Sequence, residues 1–514
     1  MASPDEGRRH TERVDAVNQW LITWGDNLWN WIVLPLVILL GLYFTIRSRV
    51  VQFRMIPEMF RTLTDRTPRG EGGKTQSVSA FQAFTISAAS RVGVGNIAGV
   101  GTAIALGGPG AVFWMWLMAF IGGASSFIES TLAQLFKVRD ADGFRGGPAY
   151  YMQRGLGVRW MGILFAVILI VCFPYAFSAL QANTITATLS GTIGPDAPAW
   201  LPWAVGAFLA ALTALVVFGG VRRIASVTQA VVPAMALAYL LLGLGVVATN
   251  VDYIPTAFAE IFTQAFGFNE VVGATFGYIV LVGVRRGMFS NEAGLGSAPN
   301  AGATAAVTHP VKQGLVQTLG VYFDTFLVCS ITAFIILVSE PDLANASRGI
   351  SLTQNALVST LGQWSSVVLT LIIFLLGFSS ILANYYYGES NVEFITERRG
   401  VLAGYRILVV AAVLVGAVVG ADIVWSFADG VMGFMALTNL IAIALLSGIA
   451  FRLLSDYTRQ RRLGRDPLFT RDLLPDVRGI AVWENALSVT GPIDATLEQR
   501  QATKHRDRLH SQRR

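Results

Sequence analysis

Eleven stretches of this 514-residue chain are apolar for long enough to cross a lipid bilayer, and nothing else about it constrains the fold as tightly. Crossing ~30 Å of hydrocarbon takes about 20 mostly apolar residues. Those residues must be helical, because each backbone N–H and C=O has to find its partner within the segment. The stretches are residues 29–46, 79–106, 111–136, 160–190, 199–218, 226–248, 269–284, 315–338, 365–386, 401–419 and 423–451. Composition agrees: 14% of residues are charged, against about 25% in soluble domains, and the mean hydropathy is +0.55. A soluble enzyme, a disordered scaffold and a nucleic-acid binder are excluded, in spite of a pI near 9.4. The expected fold class is an all-α polytopic membrane protein.

Charge position orients the spans. The loops 47–77, 137–159, 222–223, 285–312 and 398–399 and the tail 452–514 hold 32 of the 38 Lys and Arg, whereas the alternate loops hold one, Arg348. Cytoplasmic loops carry the basic excess, so the C-terminus is expected inside and the N-terminus outside, despite Arg8, Arg9 and Arg13. The apolar stretch from Trp29 starts too far in, and lacks the small-residue cleavage site, to be a signal peptide. Cys172 and Cys329 sit inside apolar runs, where neither a disulfide framework nor a thiolate metal site is plausible. No phosphate-binding Gly-Lys loop occurs, so ATP does not drive the protein.

After the first span, five spans (79–248) are followed by five more (269–451). Five is odd, so the halves run oppositely through the membrane, an arrangement that places substrate and ions at the midplane beside interrupted helices. Residues 1–28 and the basic tail 452–514 flank this core, with 29–46 as an extra helix. Residues 79–106 would span about 42 Å as one helix, more than a bilayer. The excess falls at Arg91-Val-Gly-Val-Gly-Asn-Ile-Ala-Gly-Val-Gly101, where four glycines weaken the helix by about 1 kcal/mol each. Unwinding there frees carbonyls for a dehydrated cation and a half-helix N-terminus for a carboxylate, with Asn96 able to donate and accept. The same glycines suit a helix-packing face. In the second half Gly273-Ala-Thr-Phe-Gly277 is the corresponding expectation, with Thr275 and Gly277 facing the ligand and Arg285 at the cytoplasmic end.

Several blocks resemble the alanine/glycine:cation symporter family: Gly95-Asn-Ile-Ala-Gly-Val, Ala105-Leu-Gly-Gly-Pro-Gly-Ala-Val-Phe-Trp-Met-Trp116, Gly146-Gly-Pro-Ala-Tyr-Tyr-Met152, Arg286-Gly-Met-Phe-Ser-Asn-Glu-Ala-Gly-Leu-Gly-Ser-Ala-Pro299 and Tyr385-Tyr-Tyr-Gly-Glu389. They occur in the family's order across residues 30–450. The resemblance implies a LeuT-like 5+5 inverted repeat after one extra helix, in a bacterial plasma (inner) membrane. It also implies symport of a small neutral amino acid with Na+. For the substrate it points to Gly95, Asn96, Gln181, Thr275, Gly277, Ser380 and Asn384. For Na+ it points to the carbonyls of Val92, Gly93 and Gly95 with the hydroxyls of Ser379 and Ser380, an oxygen-only shell suited to a hard cation.

Asn384 stands where the family usually has a tryptophan, Ser380 where it has a threonine, and Val94 where many members have a hydroxyl residue. A carboxamide in place of an indole enlarges the pocket and adds two donors and an acceptor, which makes glutamine or asparagine credible beside alanine and glycine. Gln181 could equally bond only to a neighbouring helix, and a serine can bond back to its own preceding turn. Arg91, Glu129 and Glu292 are gate candidates, with Arg91 and Glu129 expected to pair and Glu292 expected near the cytoplasmic face. Glu129, Asp324 and Asp429 are the acids that a proton would use. Proton coupling or amino-acid exchange is thus the alternative within transport, and a membrane amino-acid sensor the alternative outside it. The partners are a small neutral amino acid, Na+ and the lipid bilayer.

Overall fold

The computed structural model describes residues 19, 23–68, 77–140, 143–218, 220–267, 275–343 and 348–484, without the side chains of 220–222 and 422. Most of the two expected tails, with Gly273 and Ala274, therefore lies outside the described residues.

Helices make up most of these segments. Helix α1 (Thr23–Arg47) is followed by two short helices, α2 (Val51–Arg54) and α3 (Ile56–Leu63). Then come α4 (Ala80–Arg91), α5 (Ala98–Gly107) and α6 (Gly110–Leu135). A two-stranded antiparallel hairpin, β1 (Val138–Asp140) and β2 (Gly143–Arg145), leads to α7 (Pro148–Arg154). Next are α8 (Arg159–Ile193), α9 (Leu201–Val217), α10 (Gly220–Thr249) and α11 (Ile254–Gln264). The second half has α12 (Phe276–Asn291), α13 (Ala298–Thr304), α14 (Pro310–Leu337), α15 (Ile350–Leu361), α16 (Trp364–Ile395), α17 (Arg399–Gly416) and α18 (Ala421–Arg462). Among the described residues eight helices are long and apolar enough to cross a membrane. Three expected stretches lie outside that set: 199–218 falls on the 17-residue α9, 79–106 on the interrupted pair α4/α5, and 269–284 overlaps only the first part of α12, which is itself followed by a break and α13.

Local chemistry sets the boundaries. Ser79 begins α4 with a reciprocal cap: its Oγ accepts from Gln82 N at 3.0 Å, and Gln82 Oε1 accepts from Ser79 N at 2.9 Å. Pro174 cannot donate in mid-helix, and α8 widens to a π-helical turn over Val171–Phe177. A second such turn, Phe323–Cys329, lies in α14 and carries Asp324. Helix α6 packs against α12 and α14, and α8 against α16, so elements at matching positions of the two halves meet in the core. Helix α1 lies outside this core against α6 and α18.

Residues 464–484 fold back under the end of the bundle where α1, α6 and α18 finish, called the tail end below. Phe469 N donates to Thr308 O at 2.9 Å, and the buried Trp483 donates to Gln134 O at 3.3 Å. Trp483 and Phe144 cover the Lys137 ammonium, at 4.7 and 3.9 Å from its Nζ, and burial holds Lys137 well below the ordinary lysine range. His309 caps α14, its Nδ1 accepting from Val311 N at 3.2 Å, and packs against Phe469.

Candidate functional site

The first interruption lies where the glycines predict it. Helix α4 stops at Arg91, Val92 leaves helical geometry, Gly93 is extended, Val94–Asn96 make one 3-10 turn, and α5 resumes at Ala98. Asn96 closes the loop on itself, its Oδ1 accepting from Gly93 N at 3.0 Å, and Gln181 Oε1 on α8 accepts from Val94 N at 3.2 Å. Glycine is required at 93, because a Cβ there would strike Ser380 Oγ and approach Gln181 Nε2 to 3.1 Å. Gly95 likewise faces the Phe289 ring, which a Cβ would meet at 2.7 Å. Ser380, on α16, donates to Ala89 O at 2.7 Å, so hydroxyl and carbonyl converge beside the unwound turn. Ser379 is not brought there: it donates to Leu376 O at 3.0 Å and faces Met235 Sδ at 3.6 Å on α10. The Ala89 carbonyl takes its place among the oxygens at the break.

The second interruption differs from the expected one. Thr275 and Gly277 are exposed at the start of α12, and a Cβ on Gly277 would meet nothing within 4 Å. The break falls instead at Glu292-Ala-Gly-Leu-Gly-Ser297, between α12 and α13. Gly294 and Gly296 have φ of +84° and +80°, which L side chains rarely adopt. Glu292 itself is left-handed at φ +57° and is held there by Ser90, which donates to its carboxylate, and by Ser297 Oγ at 2.6 Å. Glu292 therefore sits in the bundle interior against α4, not near the cytoplasmic face. Glu129 also departs from expectation: it does not pair with Arg91 but accepts from Gly294 N (3.3 Å), Gly296 N (3.1 Å) and Asn439 Nδ2 (2.7 Å), fastening the break. Arg91 donates to Gln317 O at 3.0 Å.

Two groups stand out between the breaks. Asn384 Oδ1 lies 3.0 Å from Ser90 Oγ, while its buried Nδ2 has no partner among the described residues. Asp324 joins three elements: its Oδ1 accepts from Asn96 Nδ2 at 2.6 Å, and its Oδ2 from Ser290 Oγ at 2.8 Å and Thr325 Oγ1 at 3.0 Å. The Asp324 side chain is fully buried, and those partners are neutral. An amide nitrogen from the first break and hydroxyls from α12 and α14 thus surround one carboxylate, and the carboxylate with its two hydroxyls is a set of hard oxygen donors.

Toward the end opposite the tail, Phe289 packs on Phe177 at 4.7 Å and on Trp425 at 5.3 Å between ring centroids. Arg286 pairs with Asp429 there, and Arg285 with Asp26 at 2.7 Å. These two arginines are embedded within α12, between its start and the break, rather than at the cytoplasmic end, and moving them leaves the charge bias of the loops intact. Their pairing explains why hydropathy lost the helix: the apolar run ends at Val284, while the helix continues on charges that tertiary contacts neutralise. The signal that would have found the break is the Gly294-Leu-Gly296 pair flanked by Ser290-Asn-Glu292 and Pro299, in a segment as long as residues 79–106.

A family model described as the sodium:alanine symporter family matches residues 14–471. The chain is 50% identical over 460 residues to the amino-acid carrier protein AlsT of Bacillus subtilis, covering 90% of this chain and 96% of that one. It is 46% identical over 459 residues to the probable sodium/glutamine symporter GlnT of the same organism, covering 89% and 94%. Among solved structures, MhsT in complex with L-phenylalanine shares the fold at a TM-score of 0.51 and 14% identity, over 83% of this chain and 99% of that one. The helical bundle with its interrupted helices is accordingly LeuT-like. The chain belongs to the sodium:alanine symporter family, a multi-pass membrane transporter of the sodium-coupled amino-acid symport class and not an enzyme.

Proposed function

We propose that this protein carries a small neutral amino acid into a bacterial cell together with Na+, by alternating access across the plasma membrane, with the tail end cytoplasmic. The substrate sits between the breaks Val92–Ile97 and Glu292–Ser297. Alanine and glycine are the base substrates, and glutamine is admitted because Asn384 offers an amide where the family has an indole. The observation that carries this reading is the unpartnered Asn384 Nδ2, buried beside Ser90 with both breaks adjacent. A buried donor left unpaired costs about 1–3 kcal/mol, and a substrate carbonyl or carboxylate would satisfy it. GlnT, at 46% identity, is named for glutamine, which supports the wider range.

For Na+ the proposed oxygens are the carbonyls of Ala89 and Val92 with Ser380 Oγ, and the Asp324 carboxylate with Ser290 and Thr325. Asn96 ties Asp324 to the first break, and Gln181 and Glu129 hold the two breaks in shape. Na+ orders these segments, substrate completes them, and the halves rock about the site. A proton at Asp324 is the second reading, favoured by a carboxylate whose partners are all neutral.

Proteoliposomes test this directly. An inward Na+ gradient should drive uphill uptake of labelled alanine, glycine or glutamine, and K+ in its place should not. Uptake driven equally by a pH gradient without Na+ would replace the first reading with the second. Uptake that never exceeds equilibrium would overturn both.

A further inference from the structure

At the tail end, α1 turns into α2 through Arg49 and Val50, both left-handed at φ +54° and +57°. That turn brings Arg47, Arg49 and Arg54 opposite Arg459 and Arg462 at the end of α18. The five arginines line a cavity of about 520 Å³ floored by Phe451. Of the five, Arg459 pairs with Asp456 at 2.5 Å. Arg47 lies over the Phe451 ring at 5.6 Å, and Arg54 reaches only the Ser48 carbonyl, at 3.4 Å. Partial burial, together with the charges of Arg49 and Arg462, holds the Arg54 guanidinium below its ordinary range. Four guanidinium groups therefore face one concavity with no carboxylate partner among the described residues. Self-repulsion of that kind is relieved by an anion, and guanidinium forks match phosphate oxygens two at a time.

The cavity opens beside exposed apolar side chains. Tyr43 and Ile46, one turn back on α1, are 42% and 72% exposed, and Leu463 at the end of α18 is 63% exposed. Further along the same two helices Leu39, Leu42 and Leu445 are exposed as well. An anion bound here would have an apolar path running from it along the α1 and α18 surfaces, which a free ion does not use and an acyl chain does. Basic pockets between membrane helices at the cytoplasmic boundary are suited to acidic headgroups. We propose that this groove binds the phosphodiester headgroup of an anionic phospholipid, whose acyl chains lie along α1 and α18. The site is separate from both helix breaks, and its cytoplasmic placement rests on the orientation proposed above.

The experiment titrates full-length protein in neutral detergent with cardiolipin or phosphatidylglycerol, with phosphatidylcholine, and with inorganic phosphate, reading thermal unfolding and intact-complex mass. The anionic lipids should raise the unfolding midpoint and remain bound, an effect that weakens with added salt, while phosphatidylcholine and phosphate do neither. Replacing Arg49, Arg54 and Arg462 together by Gln should weaken anionic-lipid binding about a hundredfold, at about fivefold per charge. Replacing the exposed Arg398 and Arg399 by Gln should change it little. The corresponding triple Lys variant keeps the charge and should retain most of the binding, which separates loss of the site from loss of the fold. Equal stabilisation by phosphatidylcholine, full stabilisation by phosphate alone, or wild-type lipid binding by the triple Gln variant would each overturn the proposal.

Discussion

Asn384 and Ser380 lie one helical turn apart on α16, and the chemistry of each is exposed to a different part of the site. Asn384 presents an amide nitrogen without a partner among the described residues. Restoring a tryptophan there would fill that space and remove the donor, so Asn384→Trp should depress competition by glutamine more than competition by alanine or glycine. A site built to hydrogen-bond a substrate group discriminates better than one that senses bulk alone. An unchanged ranking in two equally well-expressed proteins would show that Asn384 only braces Ser90. Ser379 and Ser380 were legible in the sequence as a pair but act separately in the structure. Ser380→Ala removes an oxygen beside Ala89 and should raise the Na+ concentration for half-maximal uptake about fivefold, the equivalent of about 1 kcal/mol. Ser379→Ala should leave that concentration unchanged, because its hydroxyl bonds back to its own helix. Equal shifts in the two variants would place Na+ elsewhere. Asn96, Gln181 and Ser380 were readable because a polar side chain in an apolar span needs a partner. Thr275 and Gly277 misled because glycine spacing alone does not distinguish a break from a helix start.

At the scale of elements, the two breaks show how far periodicity carries. The first was legible from its length and its glycines. The second was hidden by Arg285 and Arg286, whose partners Asp26 and Asp429 lie hundreds of residues away or in another helix. The docked tail was equally invisible, since residues 464–484 hold no apolar run and are anchored by single side chains such as Trp483 and Phe469. His309 links that tail to α14. Burial lowers its pKa below the ordinary 6.5, with Asp456 at 3.5 Å from Nε2 opposing the shift. The undocked state therefore binds more protons as pH falls through about 6.5, so acid disfavours the docked state, and above that pH His309 is neutral in both and has no effect. Protonation also removes the Nδ1 acceptor from Val311 N. Proteolysis within 464–484 should accelerate between pH 7.5 and 5.5, and His309→Asn should flatten that dependence. Equal protection at both pH values in the parent protein would assign tail docking to other contacts.

For the whole molecule, Phe177, Phe289 and Trp425 pack together toward the far end with the Arg286–Asp429 pair over them, while the tail end is crossed by the docked segment. Asp429→Asn would strand the buried Arg286 charge, a change that costs about 3–5 kcal/mol when one partner of a buried pair is removed. The expected outcome is faster labelling of Cys329 by a thiol reagent in a Cys172→Ala background, because Cys329 lies 3.3 Å from Asn96 Nδ2 inside the site. Unaltered labelling would mean that the pair does not close the far end. From the sequence alone followed the membrane helices, the first break and the uneven spread of basic charge along the chain, since each depends on summed transfer free energy, helix geometry or net charge along a local stretch of chain. The tertiary structure alone decided where the second helix breaks, which serine faces the first break, that Asp324 meets Asn96 and Ser290, and where the tail docks. Those outcomes rest on pairings between distant residues, in which a buried charge or amide is stable only where another element brings its partner, and no local pattern encodes which partner arrives.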